Sequence, residues 1–497
     1  MPLTPESDLD VELDSCCAEG RRAALSRRHL LQLTGAGIAG SGLLTATTAS
    51  QARVAFAAGP TPAPGTGTTP EVLVVISLRG GFDGLSAVVP VGDPAYASAR
   101  PGIALPTSTV LPLDSMFGLA PGLAPLLPLF KAKQLAAVHA VGQADPTRSH
   151  FDAMAEMERA APGSSIRTGW IDRSVGLVAA SGTFTASQVG STSVPASLYG
   201  DHGGMAISNV DDVKLGVDPT LVSLSTWRKA VATLHRGAAP TTTHPTTAAL
   251  DALATLSALP KAAAPTDLGY PSGGLGKALQ DVARLIKAGI GLRFATCDQG
   301  NYDMHENLGG PTGGWMFNQL TELSTSMAAF AKDLGPLLNH VTVVTISEFG
   351  RRVAQNASNG LDHGHGNAVL VMGGGVNGGK VYGRWPGLAP ATLDDGDLAG
   401  TTDYRDIMAD ILTTRFGVAR IADVFPGLKR SPLGLAKAPG TESQILAATP
   451  SPSGASPSPS GASPSPSRSA SPSPSRSASP SPSRSASPSP SASPSAD

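Results

Sequence analysis

The sequence is poor in cysteine, in charge and in long apolar segments, and each deficiency excludes a class of protein. Its 497 residues include three cysteines, Cys16, Cys17 and Cys297. We expect the first two to be removed with an N-terminal signal, so the mature chain has one thiol. A single thiol excludes an internal disulfide and a Cys-x-x-Cys zinc site. Any bound metal must therefore use histidine and carboxylate side chains.

Charge and hydrophobicity restrict the function further. Only 15% of the residues are charged, and 36 basic residues offset 38 acidic ones. This balance argues against a nucleic-acid-binding protein, which relies on clustered lysine and arginine. Apolar runs of about 18 or more residues do not occur outside the N-terminal region, so we expect no membrane span in the mature chain.

Glycine and proline, by contrast, are abundant, with 57 and 43 residues, and the C-terminal segment is especially rich in proline. The unit Ser-Pro-Ser-Pro-Ser-Arg-Ser-Ala occurs three times in succession over residues 463–486. Because it has almost no large apolar side chains to bury, the segment 439–497 is predicted to be a disordered tail. It is either a spacer that associates with the cell wall or a solvated tail with no partner.

An N-terminal targeting signal is predicted over residues 1–57, followed by a linker at 58–69. Residues 26–31 read Ser-Arg-Arg-His-Leu-Leu, a twin-arginine followed by leucines, which is the pattern of a bacterial Tat signal. The small-x-small sequence Ala-Phe-Ala at 55–57 is a suitable cleavage site. The pattern predicts export through the Tat translocase, to the cell envelope or the extracellular space.

The body of the chain, residues 70–438, alternates apolar strands with amphipathic helices. The predicted strands and helices are, in chain order, strands 71–78 and 134–141, helices 275–287 and 320–334, strands 341–347 and 367–372, and a helix at 403–416. This alternation predicts an α/β fold, a three-layer α/β/α sandwich with a mostly parallel central sheet. Residues 180–270 have weak periodicity and are expected to be insertions.

Polar side chains follow these strands, at the sheet edge where α/β proteins place their functional residues. The candidate site residues are Asp83, Arg148, Ser149, His150, Asp303, His305, Glu348, Arg351, Asp362, His363 and His365. Asp303 and His305 are separated by one residue, so in an extended segment both would face one ion. Glu348 directly follows an apolar strand, where its burial requires a cation, either Arg351 or a metal.

Some of these residues also have a purely structural interpretation. Asp83 lies between glycines and is equally a turn former. Ser149 is also suited to be a helix N-cap, a role that is compatible with a nucleophile. Histidine and carboxylate ligands without cysteine suit Zn²⁺ or Mn²⁺, and Ca²⁺ or Mg²⁺ less well. Arg79, Arg148 and Arg351 would neutralise the oxygens of a phosphate or sulfate.

Five short motifs in this order resemble the DUF1501 family: Arg-Gly-Gly-x-Asp-Gly, Arg-Ser-His-Phe-Asp, Asp-x-His-x-Asn, Ser-Glu-Phe-Gly-Arg and Asp-His-Gly-x-Gly. The resemblance covers about residues 70–435. Members of this family are mostly uncharacterised, often Tat-exported bacterial proteins related to the alkaline phosphatase and sulfatase superfamily. The resemblance implies an α/β/α sandwich with a divalent-metal site at one sheet edge.

The resemblance also implies roles for individual residues. Asp83 and Ser149 would bind one ion, with His150 as the alternative ligand to Ser149. The second ion would be bound by Asp303, His305 and His363, with Glu348 and Asp362 nearby.

These observations predict an exported, metal-dependent hydrolase of phosphate or sulfate esters with a one- or two-metal site. Its substrate would be a small molecule or a polymer, and Ser149 would be the nucleophile. The alternative is a non-catalytic cell-envelope binding protein that retains a degenerate alkaline phosphatase-like fold.

Overall fold

A computed structural model of the chain describes residues 69–144, 146–178, 182–213, 224–234, 240–262 and 265–442. The predicted targeting signal, the linker up to residue 68 and the tail from residue 443 onward lie outside the described residues.

A nine-stranded sheet forms the centre of the fold, and a separate three-stranded sheet lies beside it. The strands are β1 (Val72–Leu78), β2 (Val88–Val89), β3 (Leu111–Pro112), β4 (Gly118–Leu119), β5 (Leu135–Gly142), β6 (Ala186–Val189), β7 (Met205–Ile207), β8 (Phe294–Gln299), β9 (Val341–Ile346), β10 (Asn367–Met372), β11 (Val381–Tyr382) and β12 (Thr402–Asp403). The order in the large sheet is β11-β5-β10-β9-β1-β8-β6-β7, with β12 also paired to β5, and the small sheet contains β2, β4 and β3.

The central sheet is mostly parallel, and one strand runs against the others. β1 pairs in parallel with both β8 and β9, while β10 is antiparallel to both β5 and β9. Because β10 is reversed, the chain segment before it lies at the same sheet edge as the segments that follow β1, β8 and β9. Loops on both sides of strands can therefore contribute to one site.

The helices cover both faces of this sheet. In the described residues they are α1 (Gly84–Ala87), α2 (Tyr96–Ala99), α3 (Leu127–Lys131), α4 (His150–Arg159), α5 (Trp170–Val175), α6 (Leu224–Leu234), α7 (Pro240–Ser257), α8 (Pro265–Leu268), α9 (Gly274–Lys287), α10 (Trp315–Leu334), α11 (Tyr404–Arg415) and α12 (Ile421–Val424).

Alternation along the buried strands builds two separate cores. In β1, Val74 and Ile76 pack into one core with α9 and α10, whereas Leu73 and Val75 pack into the other with α4, α5 and α11. A strand that is apolar on both faces requires such double covering. The predicted three-layer α/β/α sandwich with a mostly parallel sheet is therefore confirmed.

One predicted segment differs from expectation. Residues 180–270 were expected to be insertions, but β6 and β7 extend the central sheet in parallel beyond β8. These strands have four and three residues, too few to produce a clear apolar period in the sequence. Among the described helices, none is long and apolar enough to cross a membrane.

Candidate metal centre

Four side chains from three loops meet at the edge of the sheet. Asp303 and His305 lie in the segment after β8, His150 is the first residue of α4, and His363 precedes the reversed strand β10. Their convergence follows from the topology, because the reversal of β10 brings the segment before it to the edge where β8 ends.

The metal-binding atoms of these residues lie close together. Ligand atoms of His150, Asp303 and His363 all fall within 4.8 Å of one another. Asp303 Oδ1 is 3.2 Å from His363 Nε2 and 3.5 Å from His150 Nε2. His305 Nε2 extends the group, at 3.0 Å from both Asp303 Oδ1 and His363 Nε2. Three imidazole Nε2 atoms thus surround one carboxylate oxygen, and we call these four residues the metal cluster.

Each imidazole in the metal cluster has its other nitrogen beside an oxygen acceptor. His150 Nδ1 lies 2.8 Å from Glu348 Oε1, and His305 Nδ1 lies 3.2 Å from Asp362 Oδ1. His363 Nδ1 lies 2.8 Å from the backbone oxygen of Arg148. Since an acceptor at Nδ1 favours the tautomer with its proton there, all three Nε2 lone pairs are available to a metal.

Two observations show that these residues fit a divalent ion. Ligands at about 2.0–2.1 Å in a tetrahedral site lie about 3.3 Å apart, close to the 3.0–3.5 Å separations around Asp303 Oδ1. In addition, His150 Nε2 is buried, and within the described residues its one polar contact, with Asp303 Oδ1 at 3.5 Å, is too long for a good hydrogen bond. A buried polar atom without a partner is costly unless an unseen group satisfies it, and a metal ion would do so.

Glu348 is a buried carboxylate that contacts His150 of the metal cluster. It is 2% exposed and accepts hydrogen bonds from Gly80 N at 2.8 Å and Ser347 Oγ at 3.0 Å, in addition to its contact with His150. Burial opposes its charge, but these hydrogen bonds, that of His150 first, hold the pKa of Glu348 below its usual value. The carboxylates of Asp303 and Glu348 in turn raise the pKa of His150 to about 9, so a metal ion would have to displace a proton from His150 Nε2 before that nitrogen could bind it.

Arg351 holds Asp303 in place. It is 1% exposed, and its Nη2 donates to Asp303 Oδ1 at 2.6 Å, while Nε and Nη1 donate to the backbone oxygens of Gly81 and Leu361. Burial opposes the charge of Asp303, but His150, His363 and Arg351 together hold its pKa well below the usual value. The sequence predicted that Arg351 binds substrate oxygens; the structure instead surrounds its guanidinium with protein acceptors.

Gly80 is the point of closest approach between two of the loops. Its φ of +108° is unfavourable for residues with a side chain, and a Cβ there would lie 2.7 Å from the backbone nitrogen of Asp303. Glycine at this position therefore allows the segment after β1 to pack against the segment that carries Asp303.

Two other predicted ligands lie elsewhere. Both carboxylate oxygens of Asp83 accept from the buried Arg100, at 2.5 and 3.0 Å, and Oδ2 also caps Ser86 N at the start of α1. His365 contacts the backbone oxygen of Gln143 through Nε2, at 3.2 Å. Neither residue joins the metal cluster, because Arg100 supplies the counter-charge of Asp83 and the Gln143 backbone accepts from His365.

Ser149 and Arg148 lie directly before the first histidine of the metal cluster. Ser149 Oγ accepts from Asp152 N at 3.4 Å, so it is the N-cap of α4. The Arg148 side chain pairs with Asp395 and Asp397, at 3.1 and 2.8 Å. Both residues thus adjoin His150 in the chain, while their side chains contact other residues.

Sequence reasoning missed three residues that shape this region. Phe349 packs its ring 4.8 Å from the rings of both His150 and His363. Asn356 donates from Nδ2 to the His305 backbone oxygen and to Asp362 Oδ1. Phe349 follows Glu348 within a short motif and could have been noted, whereas Asn356 and Arg100 have no signal in the sequence around them.

Part of the chain matches the model of a protein family. Residues 276–416 match the family described as "Protein of unknown function (DUF1501)". No curated protein sequence matches the chain. Among solved structures, the chain is similar to an alkaline phosphatase from the Antarctic bacterium TAB5, with 8% identity, a TM-score of 0.24, and coverage of 63% of this chain and 95% of that chain.

The matched segment contains most of the metal cluster. Asp303, His305 and His363 all lie within residues 276–416, and so does Glu348. The resemblance to the DUF1501 family that the sequence motifs indicated is therefore confirmed, over residues 276–416 of the chain.

Proposed function

We propose that the protein is a metal-dependent hydrolase of phosphate or sulfate esters, with its reaction centre at the metal cluster. The observation that supports this proposal best is the convergence of three imidazole Nε2 atoms on Asp303 Oδ1. The side chains of His305 and Asp303 are 45% and 48% exposed. A substrate in solvent could therefore reach a metal ion bound by these residues.

The metal would be held by His150, Asp303, His305 and His363. Three nitrogen ligands and one oxygen ligand suit Zn²⁺ or Mn²⁺ best among the common divalent ions. When bound, such an ion supplies a Lewis acid that lowers the pKa of a hydroxyl and stabilises charge on a phosphoryl or sulfuryl oxygen. Glu348 and Asp362 orient His150 and His305, and the Arg148 carbonyl orients His363.

Ser149 is the nucleophile in this proposal. It precedes His150 in the chain and caps α4, whose first amides favour negative charge on a nearby oxygen. Its hydrogen bond to Asp152 N is long, at 3.4 Å, so little is lost when the hydroxyl turns away to attack an ester. Asp83, the residue that sequence motifs paired with Ser149, is occupied by Arg100; a single ion at the metal cluster is therefore the simplest arrangement.

One observation favours the non-catalytic alternative, in which the fold serves as a cell-envelope binding protein. Arg79 pairs with Glu158 and Asp298, and Arg351 is saturated by protein acceptors. Two arginines that would suit an anionic substrate are therefore engaged. Under this alternative the metal cluster binds an ion and a partner, without turnover.

Turnover of chromogenic phosphate and sulfate esters by the metal-loaded protein distinguishes the hydrolase from the non-catalytic binding protein. We expect hydrolysis by the wild type, and a decrease of several orders of magnitude in Ser149→Ala with unchanged metal content. If Ser149 is only an N-cap, Ser149→Ala should lose about 1 kcal/mol of unfolding free energy and keep its turnover. That result would contradict the role of Ser149 as nucleophile. Ser149→Asp keeps the cap and is expected to be inactive. Absence of hydrolysis in the metal-loaded wild type would favour the binding protein.

We also propose export through the Tat translocase, with the proline-rich tail as a link to the cell wall. The twin arginine at 27 and 28 supports it. Replacing both by lysine should retain the protein in the cytoplasm, because the receptor reads the guanidinium pair as well as its charge. Unchanged export of that variant would contradict the proposal.

A further inference from the structure

Two arginines beside the metal cluster converge on one exposed carboxylate oxygen. Arg148 Nη2 lies 3.1 Å and Arg352 Nη2 lies 3.6 Å from Asp395 Oδ2. The Asp395 side chain is 79% exposed, and the two arginine side chains are 44% and 34% exposed. Solvent therefore reaches the position where the two guanidinium groups meet.

Asp397 holds Arg148 independently of Asp395 and also lies near Arg352. Its side chain is 4% exposed, with Oδ2 at 2.8 Å from Arg148 Nη2 and Oδ1 at 3.8 Å from Arg352 Nε. Arg352 also packs over Gly396, where a Cβ would lie 2.6 Å from its Nη1. The Arg148 guanidinium is thus held by a buried carboxylate, and the exposed carboxylate of Asp395 lies 3.1 Å and 3.6 Å from the two arginines.

The backbones of the same two arginines are attached to the loop that carries His363. The Arg148 carbonyl lies 2.8 Å from His363 Nδ1, and Arg352 N donates to the Asp362 backbone oxygen at 3.0 Å. Both arginines are thus attached through their backbones to the loop that contributes His363 to the metal cluster.

The Arg148 guanidinium has N–H donors left to bind an anion. Both ion pairs of Arg148 use Nη2, and within the described part of the chain its Nε and Nη1 have no hydrogen bond. An arginine fork with unused donors matches the oxygens of a phosphate or sulfate group. An exposed ion pair such as that of Asp395 contributes little to stability and is readily exchanged.

We propose that Arg148 and Arg352 form an anion subsite beside the metal cluster, which Asp395 occupies in the free protein and which the tetrahedral oxyanion of a substrate takes over by displacing Asp395. The identity of that oxyanion as an ester group rests on the proposed function. The subsite itself requires only a phosphate- or sulfate-like anion. Asp395 is thus an internal competitor for the substrate.

Anion binding to the full chain with its metal tests this inference. Inorganic phosphate and, separately, inorganic sulfate are titrated by calorimetry into the wild type and Asp395→Asn. Asparagine tolerates the φ of +49° at this position. Since an exposed ion pair is worth about 0.2–1 kcal/mol, the affinity should rise roughly 1.5- to 5-fold for at least one anion. Asp423→Asn, which removes an exposed partner of Arg420 far from this subsite in sequence, should leave the affinity unchanged.

A second variant assigns the gain to the subsite. Arg352→Gln should weaken anion binding, and in the double variant with Asp395→Asn the gain should disappear. The proposal is overturned if Asp395→Asn binds both anions like the wild type, or if its gain persists without Arg352. Ester turnover is measured separately, so a wild type that binds anions through the subsite but hydrolyses nothing contradicts the hydrolase and not the subsite.

Discussion

Replacing Glu348 by glutamine should weaken metal binding without disturbing the fold. Glu348 Oε1 faces His150 Nδ1 and Gly80 N, each at 2.8 Å, and Oε2 accepts from Ser347 Oγ at 3.0 Å. A glutamine can keep its oxygen toward the first two donors, and its amide can donate to the Ser347 hydroxyl. The variant therefore removes a charge behind His150 and leaves the hydrogen-bond geometry in place.

The size of the effect follows from the position of Glu348 behind a metal ligand. Loss of such a supporting carboxylate reduces metal affinity about 10- to 100-fold, or roughly 1.4–2.7 kcal/mol. Competition with a coloured chelator measures this affinity for Zn²⁺ and Mn²⁺ in the wild type and the variant.

Glu158→Gln provides the matched control. Glu158 is also a buried carboxylate, 8% exposed at its side chain, but it pairs with Arg79 at 3.1 Å and contacts no residue of the metal cluster. It should bind metal with the affinity of the wild type. If Glu348→Gln also keeps that affinity, or if both variants lose it equally, the assignment of Glu348 as the support of His150 is wrong.

Three further predictions concern the surroundings of the metal cluster. Gly80→Ala should lose roughly 1–3 kcal/mol of unfolding free energy and weaken metal binding, because its Cβ would meet Asp303 N at 2.7 Å; Gly163→Ala, also at positive φ but with open space around it, should keep metal affinity in the same chelator assay. Asp83→Asn should cost about 3–5 kcal/mol in denaturant unfolding by leaving Arg100 buried without its counter-charge, yet retain the metal; loss of metal with normal stability would restore Asp83 as a ligand. Burial lowers the pKa of His139 to about 4. Between pH 6.5 and 4, His139 is therefore protonated in the unfolded chain but not in the folded one. The free energy of unfolding should accordingly fall by up to about 3 kcal/mol as the pH decreases from 6.5 to 4. His139→Gln should lack this part of the pH dependence, and identical unfolding curves against pH would contradict it.

Much of the fold was predictable because its strands are apolar on both faces. β10 occupies the predicted residues 367–372, and β1 and β9 lie within one residue of their predicted ends. The direction of β10 was not predictable, since a parallel and a reversed strand share the same apolar pattern. That reversal decides that His363, which precedes the strand, reaches the metal cluster.

The residue types of the site were predictable from the sequence. Which of them would bind a metal directly, and which would contact a metal ligand, was not. Carboxylates and histidines at strand ends indicated a metal, and Asp303, His305 and His363 meet as expected. Whether Glu348 contacts an ion or the Nδ1 atom of His150 depends on side-chain positions that no spacing encodes. The partner of Asp83 was equally hidden, because Arg100 lies outside every motif and reaches Asp83 only in the folded chain.

The metal content of the purified full chain is the most direct test of the central claim. Elemental analysis after purification without chelator should find about one divalent ion per chain in the wild type, and a strong loss in His150→Ala and in His363→Ala. His202→Ala is the matched control, since His202 also lies beside a buried aspartate, Asp172, but outside the metal cluster; it should keep the ion. A wild type that holds no metal and cannot be loaded with Zn²⁺ or Mn²⁺, or one whose content is unchanged in both cluster variants, would contradict the account.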